Sequence, residues 1–289
     1  MPYTFPFYVV AAFAKGPFQG NPAAVVFIDD VDLEKDTLAK MSVNFNQPMT
    51  SVVGSQIPSA DEKVAAFNIR WFAMSTEVPL CGHALMAAAR AIFERDLVAD
   101  SVQVIEFARR IGKDVFEIRL PAATVLEAPA EDRPKVRAAI TKAFGRDVAI
   151  KFIGVGAEGF KGYLLVELEE HENLGQCKVD ANAFLETEYM INVITTASES
   201  SGGDELFVSR MFSPSVLPAS FPEDAVCGSA HCLLVPYWHK KKGLIADQPF
   251  SAKQVSARGG DLGLFLDQNA GNIGLRGETF VMAEGQLHI

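Results

Sequence analysis

The chain has 289 residues, of which 49% are hydrophobic and 21% are charged, and its formal net charge is −10. This composition is typical of a soluble globular protein large enough for one or two domains, and it excludes a disordered chain. Because the longest basic run is the three lysines at 240–242, we expect neither a nucleic acid nor an anionic membrane as a partner.

The N-terminal stretch, MPYTFPFYVVAAF, has no basic segment and is interrupted by Pro2 and Pro6. It is a poor secretory signal, and we interpret it as an edge strand, where proline is tolerated. No apolar run approaches the roughly 18 residues of a membrane span. Four cysteines are too few for a disulfide framework in a chain of this length. We therefore expect a cytoplasmic protein with reduced thiols.

The first part of the chain alternates between patterns typical of strands and of helices. The predicted strands are 7–10, 23–27, the stretch after NFNQP, 65–72, about 102–107 and 115–120. The predicted helices are 33–43 and 85–93. The glycines and prolines of KGPFQGNP indicate a loop between the first two strands.

The second part opens with residues 121–134, which are rich in proline, alanine and acidic residues and which we interpret as a linker. Predicted helices follow at 135–144 and about 231–242, with strands at 149–153, 162–168 and 206–210 and short strands at the end. Because strands and helices mix without regular βαβ alternation, we predict the α+β class. The predicted domains are 1–122, joined by a last strand at about 277–289, and 123–276.

A composite motif occurs once in each half of the chain. Residues 70–89 and 210–233 both contain Arg-x-Phe followed by Glu-x-x-x-Cys-Gly-x-Ala, and the spacing from Arg to Glu is six residues longer in the second copy. Each copy is predicted to run from a strand through a loop into a helix. The match indicates an internal duplication, and it predicts two similar domains whose equivalent loops meet at a shared interface.

The repeated turns, Cys81-Gly82-His83-Ala84 and Cys227-Gly228-Ser229-Ala230, each precede a predicted helix. Unpaired N–H groups and the helix dipole would favour a bound carboxylate, and they would lower the pKa of a nearby thiol from about 8.5 into the range of roughly 3.5–7.5. Facing turns would let one thiolate remove the α-proton of a small carboxylate while the other thiol returns a proton on the opposite face. The alternative is that both cysteines are small buried hydrophobes.

The residues around these cysteines allow more than one interpretation. His83 directly follows a Cys-Gly turn and is a candidate acid/base group, whereas Asp224 and Ser229 fit catalysis and helix capping equally well. We interpret Cys177 and Cys232 as structural. The remaining histidines have no ligand-like spacing, so we expect no metal site.

Residues 154–159 read GVGAEG, which matches the dinucleotide-binding pattern Gly-x-Gly-x-x-Gly. The following segment, FKGYLLVELEE, alternates like a strand and starts no helix, so no helix N-terminus is available for a pyrophosphate. We therefore predict a glycine-rich hairpin and no nicotinamide cofactor, which argues against a dehydrogenase.

Five stretches along the chain resemble the phenazine-biosynthesis-like (PhzF-like) family, which has the diaminopimelate-epimerase fold. They are GPFQGNPAAVVF, IRWFAMSTEVPLCGHALMAA, FVSRMFSPS, EDAVCGSAHCLLVPYW and ARGGDLGLFL. The resemblance implies two domains, each a curved mixed β-sheet or barrel wrapped around a central helix, with the active site in the cleft between them. It also implies a cofactor-independent isomerase, and a homodimer is the assembly we expect from it.

The resemblance assigns site residues by position. It implies acid/base or catalytic roles for His83, Asp224 and Ser229, places Asn21 near the cleft, and aligns Cys81 and Cys227 with the two thiols of related epimerases and racemases. We predict that Asn21, Gln47, Gly82 and Gly228 contact the substrate. The family pattern Asn-Leu-Ser-Glu-Thr, however, reads Asn44-Phe45-Asn46-Gln47-Pro48 here, and an amide cannot exchange a proton near neutral pH.

The sequence therefore leaves two functions to compare. The first is a cofactor-independent epimerase or racemase of a small carboxylic acid that uses Cys81 and Cys227. The second is a non-catalytic member of the family that binds a small molecule and has lost the usual glutamate. The identity of the substrate does not follow from the sequence.

Overall fold

A computed structural model describes residues 3–28, 33–105, 108–198, 204–245 and 247–289. The chain divides into two compact units, Met1–Arg119 with Arg276–Ile289, and Leu120–Leu275. The bounds expected from the sequence, 1–122 with about 277–289 and 123–276, differ from these by at most three residues. The predicted strand at about 102–107 is described only in part, because residues 106–107 lie outside the described ranges.

Unit 1 is formed by the first part of the chain together with its last segment. Its strands are β1 (Thr4–Ala12), β2 (Asn21–Phe27), β3 (Met49–Ile57), β4 (Val64–Ala73), β5 (Thr76–Val78), β6 (Val104–Ile105), β7 (Ala108–Arg110) and β8 (Val115–Pro121). Its helices are α1 (Lys35–Phe45) and α2 (Gly82–Glu94). The strand pairs β2–β3 and β4–β6 are parallel, and the pairs β1–β2, β3–β4, β4–β5, β6–β7 and β7–β8 are antiparallel.

Unit 2 contains the remaining elements. Its strands are β9 (Val125–Glu127), β10 (Ile150–Gly156), β11 (Tyr163–Leu168), β12 (Ile191–Ala197), β13 (Glu205–Phe212), β14 (Glu223–Asp224), β15 (Phe250–Gln254), β16 (Gly260–Asp267) and the start of β17 (Asn272–His288). Its helices are α3 (Arg133–Phe144) and α4 (His231–Lys242), and a 3₁₀ helix spans Ala181–Thr187.

The two units repeat one order of strand pairing, which confirms the duplication predicted from the Cys-Gly motifs. In unit 2, β10–β11 is antiparallel, β11–β12 parallel, β12–β13 and β13–β14 antiparallel, β13–β15 parallel and β15–β16 antiparallel. This order matches the one that runs from β1 to β7 in unit 1. The registers also agree, since Phe72 pairs with Glu77 across β4–β5 and Phe212 pairs with Glu223 across β13–β14.

Each Cys-Gly motif leads into a helix that is buried along much of its surface. In α2 the residues from His83 to Ala89 are buried without interruption, and the helix packs against β1, β2 and β3. The run of alanines explains this environment, because small side chains let the strands approach the helix from several sides. In α4 the first five residues and Trp238 are buried. The predicted helix at 231–242 has the bounds that the structure gives.

Two predictions about local structure are wrong. The N-terminal segment is not an edge strand, because β1 pairs with β2 on one side and with β17 on the other; the β1–β2 pairing begins at Phe7, one residue after Pro6. The predicted linker at 121–134 contains β9, which pairs with β10. The sequence patterns did not reveal the second partner of β1, which is β17 at the other end of the chain, and the three residues of β9 are too few to show a strand pattern.

The glycine-rich segment at 154–159 forms the predicted hairpin. Its first part belongs to β10, which pairs antiparallel with β11, and a single 3₁₀ turn at Glu158–Phe160 lies between the two strands. Within the described residues, no helix is both long and apolar enough to cross a membrane.

Candidate functional site

An arginine–glutamate pair fixes the short strand before each cysteine turn. Arg70 binds both carboxylate oxygens of Glu77, at 2.7 and 3.1 Å. Arg210 binds both oxygens of Glu223 in the same way, at 2.7 and 2.8 Å. Bidentate ion pairs of this kind restrict the orientation of the two side chains as well as the distance between them. Because the Glu-x-x-x-Cys spacing is the same in both copies, each ion pair anchors the backbone that leads into Cys81 or Cys227.

In unit 1, three of the predicted site residues form one contact group. Cys81 is the N-cap residue of α2, and its sulfur lies 3.2 Å from Nδ1 of His83. The same Nδ1 lies 3.2 Å from the amide nitrogen of Asn21, the first residue of β2. Gly20 positions Asn21, because its φ is +71° and a Cβ there would lie 2.3 Å from the Ala12 carbonyl oxygen. The strand and the helix thus bring Asn21, Cys81 and His83 together.

His83 is neutral in this environment. It is buried, and burial lowers its pKa from 6.5 to about 4. The Asn21 amide donates to Nδ1, so this nitrogen acts as the acceptor and the proton of the neutral ring belongs on Nε2. The Asn21 amide and the Cys81 thiol share the single Nδ1 lone pair, and the imidazole can accept the thiol proton when the thiol rather than the amide occupies it.

Gly82 and Gln47 occupy different settings in the same unit. Gly82 is the first residue of α2, where backbone N–H groups lack partners within the helix. Gln47 follows Asn46, which ends α1 in the left-handed conformation with φ of 50°. The Gln47 amide nitrogen donates to the Phe45 carbonyl at 3.3 Å, so this donor is engaged within its own turn.

In unit 2, the predicted residues Asp224, Cys227 and Ser229 also form one contact group. The Cys227 sulfur lies 3.3 Å from the Ser229 hydroxyl oxygen. The Asp224 carboxylate is close enough to the thiol to affect its pKa. Gly228, which lies between Cys227 and Ser229, is buried within this turn.

The predicted lowering of the Cys227 pKa by a helix terminus is wrong. Burial and the neighbouring Asp224 carboxylate raise the pKa of the Cys227 thiol well above its ordinary value. Because α4 begins only at His231, the effect of the helix is smaller than the cost of placing a thiolate in a buried site beside a negative charge. In the resting state Cys227 is therefore a protonated thiol.

Several residues that the sequence interpretation did not identify hold the Cys227 turn in place. Gln254, which is fully buried at the end of β15, accepts from the Cys227 N–H at 2.9 Å and donates to the Asp224 carbonyl at 2.6 Å. His231 contacts the Cys227 carbonyl through Nδ1 at 2.7 Å, and burial lowers the pKa of His231 to about 4. A glutamine at a buried strand position was a signal that could have been noticed, because buried amides require partners.

Tyr163 is the other residue that the sequence interpretation missed. It is the first residue of β11, and it lies near Ser229 and Cys227. Burial, with a contribution from nearby Cys227, raises its pKa to about 12. Its sequence signal was weak, since a tyrosine at the start of an alternating strand is ordinary.

The other two cysteines lie in different surroundings. Burial raises the pKa of Cys232 to about 12. The Cys177 sulfur is 3.5 Å from the carbonyl oxygens of Glu172 and Asn173. These contacts agree with the structural interpretation of both residues.

Comparison with known proteins identifies close relatives over almost the whole chain. A family model described as phenazine biosynthesis-like protein (PhzC-PhzF) matches residues 10–285. An uncharacterized isomerase from Pseudomonas aeruginosa is 32% identical over 283 residues, a match that covers 98% of both chains.

Solved structures are similar over the same length. A phenazine biosynthesis protein of the PhzF family from Enterococcus faecalis is 26% identical, with a TM-score of 0.80 and coverage of 99% of this chain and 100% of that one. A hydroxyproline epimerase from Agrobacterium vitis has a TM-score of 0.58 at 12% identity and coverage of 99% and 91%, which shows a shared fold alone. The predicted α+β, diaminopimelate-epimerase-like fold is confirmed.

Proposed function

Since this chain belongs to the phenazine biosynthesis-like family, we propose that it is a cofactor-independent isomerase that moves a proton at the α-carbon of a small carboxylic acid. Cys81 and Cys227 are the two proton-transfer groups, acting from opposite faces of the substrate. This proposal rests on one observation. Equivalent turns of the repeated motif place the two thiols beside different groups that accept or donate a proton.

The two sets of partners suit opposite tasks. The neutral His83 lies 3.2 Å from the Cys81 sulfur and can take its proton, which makes Cys81 the base. The charge pair formed in this way offsets part of the burial cost that keeps isolated His83 neutral. Cys227, whose pKa is raised by burial and by Asp224, keeps its proton and is the acid. A two-base reaction requires one thiolate and one thiol at the start.

The proposed step conserves protons and electrons. The Cys81 thiolate takes the α-hydrogen as a proton, and the electron pair of the broken C–H bond is delocalised onto the substrate carboxylate. The Cys227 S–H bond then breaks, and its proton forms the new C–H bond on the opposite face. We propose that the N–H groups at Gly82 and at Gly228, together with the side chains of Asn21 and Gln47, bind the substrate.

The test is exchange of the α-hydrogen with solvent deuterium, followed by NMR over a panel of amino, imino and hydroxy acids of both configurations. We expect exchange on at least one acid, and a loss of at least about 100-fold in Cys81→Ser and Cys227→Ser. Cys177→Ser is the matched control and should exchange at the wild-type rate. Equal rates in wild type and Cys81→Ser would refute the thiol mechanism.

A second candidate is a binding protein without turnover. It is favoured by Gln47, which replaces the family's acid/base glutamate with an amide. This hypothesis expects an acid that binds, detected by calorimetry, but that shows no exchange with wild-type protein. It also expects Cys81→Ser to bind that acid as wild type does.

A further inference from the structure

Unit 2 contains a cavity that the proposed reaction does not use. The cavity has a volume of about 690 Å³ and lies between the segment 122–127 and the second half of α4, from which Tyr237, Lys240 and Lys241 line it. Lys240 is nine residues after His231, the residue at which α4 begins, and is therefore roughly 14 Å along the helix axis from the end that follows the Cys227 turn. Small-molecule sites in proteins have volumes of about 300–1,000 Å³, so the cavity has the size of such a site.

Backbone hydrogen bonds hold the walls of this cavity in place. Pro236 has no N–H, so the Cys232 carbonyl, four residues earlier in α4, lacks its usual donor within the helix. The Ala123 N–H donates to that carbonyl at 2.9 Å, and the Ala122 N–H donates to the Gly271 carbonyl at 2.9 Å. Both alanines, Pro236 and Gly271 line the cavity. Because these walls are already ordered, a ligand does not have to order them, which lowers the cost of binding.

A buried glutamate fixes two of the side chains that line the cavity. Glu167, in β11, is 1% exposed, and its Oε2 accepts from the Tyr237 hydroxyl and from the Lys241 ammonium group. Glu167 thus balances the charge of Lys241, as a buried carboxylate requires. The Tyr237 ring also stacks on Phe152, with the ring centroids 5.3 Å apart, and both rings line the cavity. This side of the cavity is therefore an ordered aromatic surface.

The charges that line the cavity leave one cation unpaired. Glu127 is paired with Arg133 at 2.8 Å, and Lys241 is paired with Glu167. Lys240 is the remaining charged residue among the described residues of the lining, and it forms no ion pair with any residue that the structure describes. An ammonium group beside aromatic and aliphatic side chains favours a ligand that has one negative charge and an apolar body.

We propose that this cavity is a second small-molecule site, which binds a monocarboxylic acid with an aromatic body. The carboxylate of the ligand contacts Lys240, and its aromatic body packs against Phe152 and Tyr237. The proposal goes beyond the proton-transfer function, since neither Cys81 nor Cys227 is among the residues that line the cavity. Binding at this site therefore requires neither thiol.

The experiment is an NMR titration of full-length protein, labelled with ¹³C in the methyl groups of valine and leucine, with 3-phenylpropionate and with its neutral amide. The methyl resonances of Val125 and Leu266 report on the cavity that they line, and those of Val226 report on the adjacent Cys227 turn. We expect saturable shifts of Val125 and Leu266 with the acid, and an affinity for the amide that is lower by roughly fivefold. Unmoved Val125 and Leu266 resonances, or equal affinities for acid and amide, would overturn the proposal.

Two variants test the position of the ligand. Lys240→Gln should reduce the affinity for the acid by roughly fivefold and leave the affinity for the amide unchanged, whereas Lys242→Gln, outside the lining, is its matched control and should change neither. Thr124→Trp places a large side chain at an exposed position of the lining and should abolish the shifts. Leu126→Trp, at an exposed position outside the lining, should retain them. An unchanged affinity for the acid in either Lys240→Gln or Thr124→Trp would show that the acid binds elsewhere.

Discussion

At the scale of single residues, the two histidines near the cysteine turns have the same electrostatic character. Burial lowers the pKa of His83 and of His231 to about 4 each. The unfolded chain binds a proton at each site near the ordinary value of about 6.5. Their stabilising contribution is therefore complete above pH 6.5, and it is lost as the pH falls towards 4.

We expect the free energy of unfolding of His83→Asn to decrease less between pH 6.5 and pH 4 than that of wild type, because the unfolded variant has one fewer group to protonate. The free energy of unfolding, measured in urea at several pH values, should fall less steeply in the variant, by a difference on the order of 3 kcal/mol at pH 4. His171→Asn changes an exposed histidine and should leave the slope as in wild type. Parallel pH profiles for wild type and His83→Asn would show that His83 is not held neutral.

At the scale of elements, the duplicated arginine–glutamate pairs differ in burial. The side chains of Arg210 and Glu223 are 10% and 18% exposed, whereas those of Arg70 and Glu77 are 39% and 25% exposed. Arg210 also donates to the Cys177 carbonyl at 2.7 Å. Removing one partner of a buried pair leaves an uncompensated charge, which costs more than breaking an exposed pair.

We expect Glu223→Gln to destabilise the protein by about 3 kcal/mol and Glu77→Gln by about 1 kcal/mol. Hydrogen exchange followed by mass spectrometry should quicken around residues 223–230 in the first variant and around 76–83 in the second. Each variant is thus the control for the other. Equal destabilisation, or faster exchange in the opposite unit, would contradict the local role assigned to these pairs.

At the scale of the whole molecule, the end of the chain completes the unit that the beginning starts. All nine residues of β1 pair with the distal part of β17. In unit 2, by contrast, the strands from β9 to β16 pair with strands of the same segment. An exposed row of unpaired backbone groups makes a strand prone to aggregate.

We expect the fragment 120–275 to fold alone and the fragment 1–119 to be insoluble. Fusing 276–289 to the latter through a flexible linker should restore a soluble, folded unit, because it restores a partner for β1. Circular dichroism and NMR dispersion measure both outcomes. A folded 1–119 fragment would show that the β1–β17 pairing is dispensable.

The sequence by itself determined the duplication, the class of fold and the positions of the two cysteine turns. These depend on local periodicity and on a motif that occurs at corresponding positions in the two halves of the chain. The cysteine motifs and the family resemblance also predicted Asn21, Cys81 and His83, and Asp224, Cys227 and Ser229, as site residues. Only the tertiary structure brought the members of each set together and added Gln254 and His231 to the second. Only the structure showed the raised pKa of the Cys227 thiol, because burial, its largest cause, depends on how distant segments pack around the turn.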